Sequence, residues 1–377
     1  MPVLHYYSFR SRVVLAYILT LGLLYEGRGF TQESPHQARP QPIQKIPKIR
    51  TFPAPPADFR ALNATDQERD KYGIPRPPKA ESGPGYAAWR EVFSRSLRFV
   101  APKYRVDGAA TKAKRRGGAA RILTGLVESQ QLAGISDTST VGYDEAFARW
   151  LVPTPSTNGS SLVTISASNA NSLSVSLGTT QNRSCTSPPN FPGGVPAYCP
   201  GPTTFGALVT FGFIFVPFLN FPVNPGDVMM GFLESGFGGG DELIATIIDL
   251  NLNIASSISL SYSGSFTTVQ FGVQRPYQLG SCGRFLCPTP GAFSAPWATW
   301  LWDMQVCTPG QLCSGAVDQS SPYKLLYLTD PDGTVLQSVH EYGTTSVLSQ
   351  HGVTDQADSW ALIVIGEQGL ESGDFPQ

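Results

Sequence analysis

Ala207-Leu208-Val209-Thr210-Phe211-Gly212-Phe213-Ile214-Phe215-Val216 is rich in β-branched and aromatic residues, with aromatics at alternate positions. Alternate residues of a strand share one face, so Phe211, Phe213 and Phe215 are expected to point together into a core. Working outward, similar short runs recur from about Arg121 onward. They include Ala146–Val152, Ser161–Ser166, Leu173–Thr179, Asp227–Leu233, Leu243–Ile254, Ser256–Tyr262, Thr267–Val273 and Ala298–Val306. Leu325–Leu328 and Thr334–Ser338 flank Asp330-Pro331-Asp332-Gly333, which reads as a hairpin turn. No stretch in this half carries a helical period. About a dozen strands separated by Gly/Pro turns indicate an all-β fold, a two-sheet antiparallel sandwich or a barrel.

The other end of the chain has a different texture. Arg10 and Arg12 precede an apolar run, Val13–Tyr25, followed by Gly27-Arg28-Gly29. As a helix this run covers about 20 Å, short of a ~30 Å bilayer core. Residues 1–29 are therefore read as a signal peptide, the alternative being an uncleaved anchor. That predicts a secreted, extracellular or periplasmic protein with no membrane association after signal removal. Residues 30–116 form a basic, Pro-rich leader. Within it, Thr65-Asp66-Gln67-Glu68 has capping-box spacing, and Gly73 with Pro75, Pro77 and Pro78 ends any helix that starts there. A second helix fits Tyr86–Val100, with Trp89, Val92, Phe93 and Leu97 on one face. Lys112-Ala113-Lys114-Arg115-Arg116-Gly117-Gly118 reads as an exposed linker and a protease cut site, leaving residues 117–377 as the β-domain.

Charge divides at the same place. Residues 1–121 hold 22 Lys+Arg against 9 Asp+Glu, whereas residues 122–377 hold 5 against 19. A basic arm can bind nucleic acid, as in a capsid subunit. It can also dock on an acidic domain and let go when low pH neutralises the carboxylates. The signal peptide favours the second, so no nucleic-acid partner is expected, and a monomer is. All six cysteines lie in the acidic half. In an exported chain they read as disulfides, simplest as Cys185–Cys199, Cys282–Cys287 and Cys307–Cys313, with fifteen pairings open. One alternative crosses Cys282 or Cys287 to Cys307 or Cys313. That half has two histidines, His340 and His351, and no Cys-x-x-Cys pair, so no metal or other cofactor is expected.

Several motifs together resemble the glutamic peptidases (eqolisins), in particular bacterial-type precursors. The leader resembles theirs in Lys71-Tyr72-Gly73-Ile74-Pro75-Arg76-Pro77 and Tyr86-Ala87-Ala88-Trp89. The β-domain does so in Trp150-Leu151-Val152-Pro153, Leu162–Ile165, Leu173–Gly178, Pro222–Asp227, Ile247–Asn251 and Ser294-Ala295-Pro296-Trp297. The resemblance spans about 300 residues in matching order. It implies a concanavalin A-like (lectin/glucanase-type) sandwich with a substrate groove on its concave face.

The resemblance also implies two catalytic side chains, a Glu as general base on water and a Gln amide holding the oxyanion. The family's Leu-Gln-Thr-Gly pattern puts the Gln two residues before a Gly, and Ser176 stands in that slot. Its Ser-Ala-Glu-Trp pattern puts the Glu at Pro296, or at Thr299 if the register slides by three. Neither residue can act as a base at acid pH. Gln181 and Asp303 are the nearby substitutes, although strand alternation turns Gln181 away from Ser176. No Gly-x-Ser-x-Gly elbow or phosphate loop offers another chemistry, and Gly238-Gly239-Gly240 reads as a turn. The expected function is a secreted glutamic-peptidase-like sandwich, non-proteolytic, with a polypeptide or polysaccharide ligand in the groove. The rivals are an acid endopeptidase with a displaced dyad and a lectin-like module stacking sugars on Trp297, Trp300 and Trp302.

Overall fold

Phe211 and Ile214 lie opposite each other across a hairpin, so the alternating aromatic stretch is two strands rather than one. Gly212 has φ +58°, as a two-residue hairpin loop requires. Phe211 and Ile214 both enter the core, while Phe215 faces outward. Phe211 and Phe215 thus do not share the one inward face expected from periodicity, and Phe213 lies outside the described residues.

The computed structural model describes residues 47–79, 83–108, 122–123, 126–129, 132–155, 159–171, 173–183, 203–212, 214–236, 240–275, 277–282, 285–290, 298–309, 313–315, 323–329, 335–342 and 361–366. All lie in the compact unit Pro42–Gln377. The proposed signal peptide, the Lys112–Gly118 linker, Cys185, Cys199, Pro296, Trp297 and Gly238-Gly239 fall outside them, as do the side chains of Cys282 and Cys287.

The fold is mostly β, with two antiparallel sheets that do not close into a barrel. Fourteen strands build it: β1 (Leu132–Tyr143), β2 (Glu145–Leu151), β3 (Gly159–Ser168), β4 (Ser174–Arg183), β5 (Thr203–Phe211), β6 (Ile214–Phe218) and β7 (Val228–Ser235). They continue with β8 (Glu242–Asp249), β9 (Ile254–Ser261), β10 (Phe266–Gln274), β11 (Ala298–Cys307), β12 (Lys324–Thr329), β13 (Val335–Tyr342) and β14 (Ala361–Gly366). The first sheet runs β6-β5-β4-β3-β10-β1-β12. The second runs β13-β14-β11-β2-β7-β8-β9. β12 pairs with β13 and joins the two along one margin.

Alternation explains the core between them. Val163, Ile165, Leu177, Val209 and Phe271 of the first sheet meet Ala146, Trp150, Leu233, Ile247 and Leu301 of the second. The Trp150 indole N–H donates to the Thr179 hydroxyl at 3.0 Å, which satisfies a buried donor. Gly134 and Gly272 face each other where β1 and β10 pair. A Cβ on Gly134 would stand 2.0 Å from the Phe271 carbonyl oxygen.

The second sheet is apolar on both faces, as adjacent pairs such as Met229-Met230, Phe232-Leu233 and Ile247-Ile248 show. A sheet buried on both sides must read this way, and the cover is residues 47–105. Helix α1 (Asp66–Tyr72) begins with the expected capping box at Thr65 and Glu68 and ends at Gly73 in the left-handed region. Helix α2 (Pro84–Ser94) stops earlier than its apolar pattern, because Arg95 is extended. Its Trp89, Val92 and Phe93 form a cluster with Phe147, Met230, Phe232 and Ile248 of the second sheet. Burying each such side chain contributes about 1.5–3 kcal/mol. Ile49–Thr51 extends the sheet at its β9 edge, and Arg98–Phe99 pairs there in parallel.

This docking differs from the one the charge division suggests. Arg50 pairs with Glu242 at 2.6 Å as expected, but Glu91 pairs with Arg149 at 2.6 Å with the signs reversed. Among the described residues the segment is held mainly by its apolar face. One of the three expected disulfides is described, Cys307–Cys313. Cys282 and Cys287 lie on a hairpin, Tyr277–Cys282 with Phe285–Pro290, where Cys287 is opposite Gly280.

Candidate functional site

Ser176 lies on β4 in the outward register, opposite to the core residues Val175 and Leu177. Its hydroxyl accepts from Ser166 at 2.8 Å, and Ser166 accepts from the Gln274 amide at 2.6 Å. Thr164 completes this network, and Gln270 donates to Ser136 at 3.4 Å nearby. The outer face of the first sheet is therefore lined by hydroxyls and amides. Asp137 is the one acid on its seven strands, and it sits opposite the core residue Val269, in the inward register. Among the described residues this face carries no general base.

The two family slots do not meet. Thr299 is on β11 of the second sheet, fully buried, in the register of the core residue Leu301. Ser176 faces away from the sandwich on the other sheet. Gln181 and Asp303 do not meet either. Gln181 is fully buried between the sheets, where its amide donates to the Thr179 hydroxyl at 2.9 Å and its carbonyl accepts from Ser161. Asp303 sits at an irregularity in β11 with φ +50° and pairs with Arg149 at 3.1 Å. Arg149 and Trp150 are neighbours on β2 and point to opposite faces, so Asp303 and Gln181 are on opposite sides of the second sheet. A dyad of these two is not formed. Of the three tryptophans expected to stack on sugars, Trp302 is 1 % exposed and packed against Trp300 and Leu151, and Trp297 lies outside the described residues.

Carboxyl groups gather instead on the covered face. In register, Cys307 of β11 lies opposite Glu145 of β2, which lies opposite Glu234 of β7. One row across three strands thus carries a disulfide and two carboxyls. Glu145 and both sulfurs of the Cys307–Cys313 bond lie within 4.8 Å of one another. The row faces a cavity of about 750 Å³ whose wall also includes Asp144, Arg76, Lys79 and Trp89. The main-chain N–H of Arg76 donates to Glu234 at 3.1 Å, and the Trp89 indole donates to the Pro75 carbonyl at 3.1 Å. The segment Ile74–Pro78, which is neither helix nor strand, is thereby held over the carboxyl row.

Burial dominates the electrostatics here. It pushes the Glu145 carboxyl well above its ordinary range, and the neighbouring Glu234 and Asp144 push the same way. Burial raises Glu234 to about 7, against the pull of the Arg76 main-chain N–H and guanidinium. Glu145 Oε1 has no hydrogen-bond partner among the described residues. Gln305, two positions along β11 from Cys307 on the same face, leaves its Oε1 similarly unpaired.

The strand bounds Ala146–Val152 and Asp227–Leu233 read from the sequence leave Glu145 and Glu234 each one residue outside. The strands are Glu145–Leu151 and Val228–Ser235. A carboxylate in phase with Phe147 and Arg149 is the signal that could have revealed Glu145.

No family model and no curated protein matches the chain. Solved structures do. Scytalido-glutamic peptidase bound to a transition-state analogue inhibitor is 13% identical over 62% of this chain and 97% of its own, with a TM-score of 0.42. SCP-B, described as an eqolisin in complex with the tripeptide Ala-Ile-His, is 14% identical over 62% and 97%, with a TM-score of 0.40. Aspergilloglutamic peptidase from Aspergillus niger is 14% identical over 54% and 97%, with a TM-score of 0.35. The likeness is one of framework and assigns no residue.

Proposed function

We propose that the chain is an exported, glutamic-peptidase-like sandwich that binds polypeptide on the outer face of its second sheet. It does not cleave through the slots at Ser176 and Pro296 or Thr299. One observation carries the reading. That face already holds a segment of polypeptide, with the Arg76 main-chain N–H on Glu234 and the apolar face of α2 on Phe147 and Phe232. Main-chain recognition of this kind does not depend on side-chain identity at the contacted residue, and an aromatic patch beside it supplies affinity.

Two measurements test the reading. A labelled synthetic peptide of residues 65–99 is added to the full chain and to its Trp89→Ala variant. The variant, with its own segment loosened, takes up the peptide, and the wild type takes up far less because the tethered segment competes at high effective concentration. Equal failure of both to bind rejects the polypeptide-binding reading. Separately, the full chain is incubated with denatured protein at pH 2–5, and no hydrolysis is expected. Cleavage that survives Ser176→Ala and disappears in Asp303→Asn would restore the displaced-dyad endopeptidase.

A further inference from the structure

We infer that the outer face of the second sheet takes up the 47–105 segment together with protons, so that the segment is held at mildly acidic pH and loosened as pH rises toward 8. This rests on reading that face as the polypeptide-binding face and assigns its regulation. It reverses the low-pH release expected from the charge division.

The geometry is a pair of carboxyls closed under a lid, neither of them in a salt bridge among the described residues. Glu145 and Glu234 are opposite each other on paired strands and are 6 % and 8 % exposed once the segment is in place. The groups that face them come from three sides. Asp144 adds a third carboxyl from the β1–β2 junction. The segment contributes Arg69, Arg76 and Lys79 with Asp66, Asp70 and Tyr86. Two of its cations are already engaged, Arg69 with Asp66 at 2.9 Å and Arg76 with Asp70 at 2.8 Å. From β11 comes the Cys307–Cys313 disulfide, which carries no charge. What remains for Glu234 is chiefly one main-chain N–H and the flank of a committed guanidinium, and Glu145 Oε1 has no hydrogen-bond partner among the described residues.

Two carboxylates cannot be covered in this way at the cost of one hydrogen bond, so the closed state keeps a proton where the open state loses it. The direction follows from linkage. Below the ordinary carboxylate range, about 4.3 for Glu, both states are protonated and pH has no effect through these groups. Between there and about 7, the raised position of Glu234, the open state ionises while the closed state does not. Closure then weakens by up to tenfold per pH unit per group. Glu234 alone, raised from 4.5 to about 7, gives a loss on the order of a hundredfold. Asp249, raised to about 6 by burial and by Asp227, titrates in the same interval, but its carboxylate accepts from the main-chain N–H groups of Asn251 and Leu252. It is separated from the pair by mutation.

Hydrogen exchange of the full chain, followed by mass spectrometry from pH 4.5 to 8 and corrected for intrinsic exchange, reads the closure directly. The amides of Pro84–Ser94 should lose protection by well over a hundredfold between pH 5 and pH 8, the product of the Glu234 and Glu145 contributions, while those of Gly159–Ser168 in the first sheet keep theirs. In Glu145→Gln/Glu234→Gln the Pro84–Ser94 protection should become independent of pH and exceed the wild type at pH 8. Glu234→Gln alone should remove about half of the slope and serves if the double variant does not fold. Protection that is flat or rises with pH in the wild type overturns the inference, as does a wild-type slope retained in the variants. Either result with peptide uptake by Trp89→Ala intact rejects the coupling and leaves the binding reading standing.

Discussion

The two sheets of this sandwich share a core and have opposite outer faces. The first sheet turns Ser136, Ser166, Ser176, Gln270 and Gln274 outward, hydroxyls and amides that bond to one another across strands. The second turns outward Phe147, Met230 and Phe232 with Glu145, Glu234 and Arg149, and residues 47–105 cover them. Self-satisfying polar groups need no partner, whereas aromatics and unpaired carboxyls do. The face that carries the Ser176 slot therefore has no general base among its described residues. The face with titratable groups is the one the chain itself keeps closed.

The sharpest way to break this comparison is to rebuild the family's acid on β11. Thr299→Glu puts a carboxyl into the core between the sheets, at a position whose own hydroxyl finds no hydrogen-bond partner among the described residues. The expected cost is about 2–7 kcal/mol, read as a fall in the denaturation midpoint, with no gain of hydrolysis at pH 2–5. A stable, active Thr299→Glu enzyme would place the slot in a groove and refute the inward register of Thr299. Next in size, Trp89→Ala removes a fully buried indole that bonds Pro75 and packs on Phe93. Truncations of this kind cost about 3–5 kcal/mol. The expected outcome is cleavage by a non-specific protease within residues 47–105 while the sandwich stays intact.

How far the sequence alone reaches follows from the range of the interactions concerned. The start of α1 was legible because Thr65 and Glu68 are three residues apart and bond each other. The apolar face of α2 was legible for the same reason, and so was the all-β character beyond Arg121. The Cys307–Cys313 pairing is equally local. The Phe211–Phe215 stripe was misread because its decisive feature is Gly212 turning the chain, and alternation looks the same with or without that turn. The Glu145–Glu234 row was illegible for a different reason. It depends on the register of strands distant in sequence and on a lid contributed by another region of the chain. Charge totals have the same limit, since net charge does not say which acids are buried or that Arg149 pairs with Glu91.

A smaller effect sharpens the account of the lid. Gly85, in the first turn of α2, lies against the disulfide, and a Cβ there would stand 2.8 Å from the Cys313 Cβ. Gly85→Ala should push the helix off Cys313 at about 1–3 kcal/mol, the cost of overpacking. Reduced protection of Pro84–Ser94 at every pH, with an unchanged pH slope, is the expected signature. It separates a steric loss of closure from the loss of proton coupling.

The smallest expected effect belongs to the first sheet. Ser176 accepts one hydrogen bond, from Ser166, which Gln274 and Thr164 also engage. Removing the hydroxyl leaves Ser166 with its other partners, so no buried group is stranded. A neutral hydrogen bond of this kind contributes about 0.5–1.5 kcal/mol, and Ser176→Ala should lie at the lower end. It should leave both peptide uptake by Trp89→Ala and the pH slope of Pro84–Ser94 unchanged, because Ser176 faces away from the second sheet. Urea denaturation combined with those two measurements makes the check. A loss well above about 1.5 kcal/mol, or any change in peptide uptake, would mean that the two faces communicate through the core and that the division between them is too sharp.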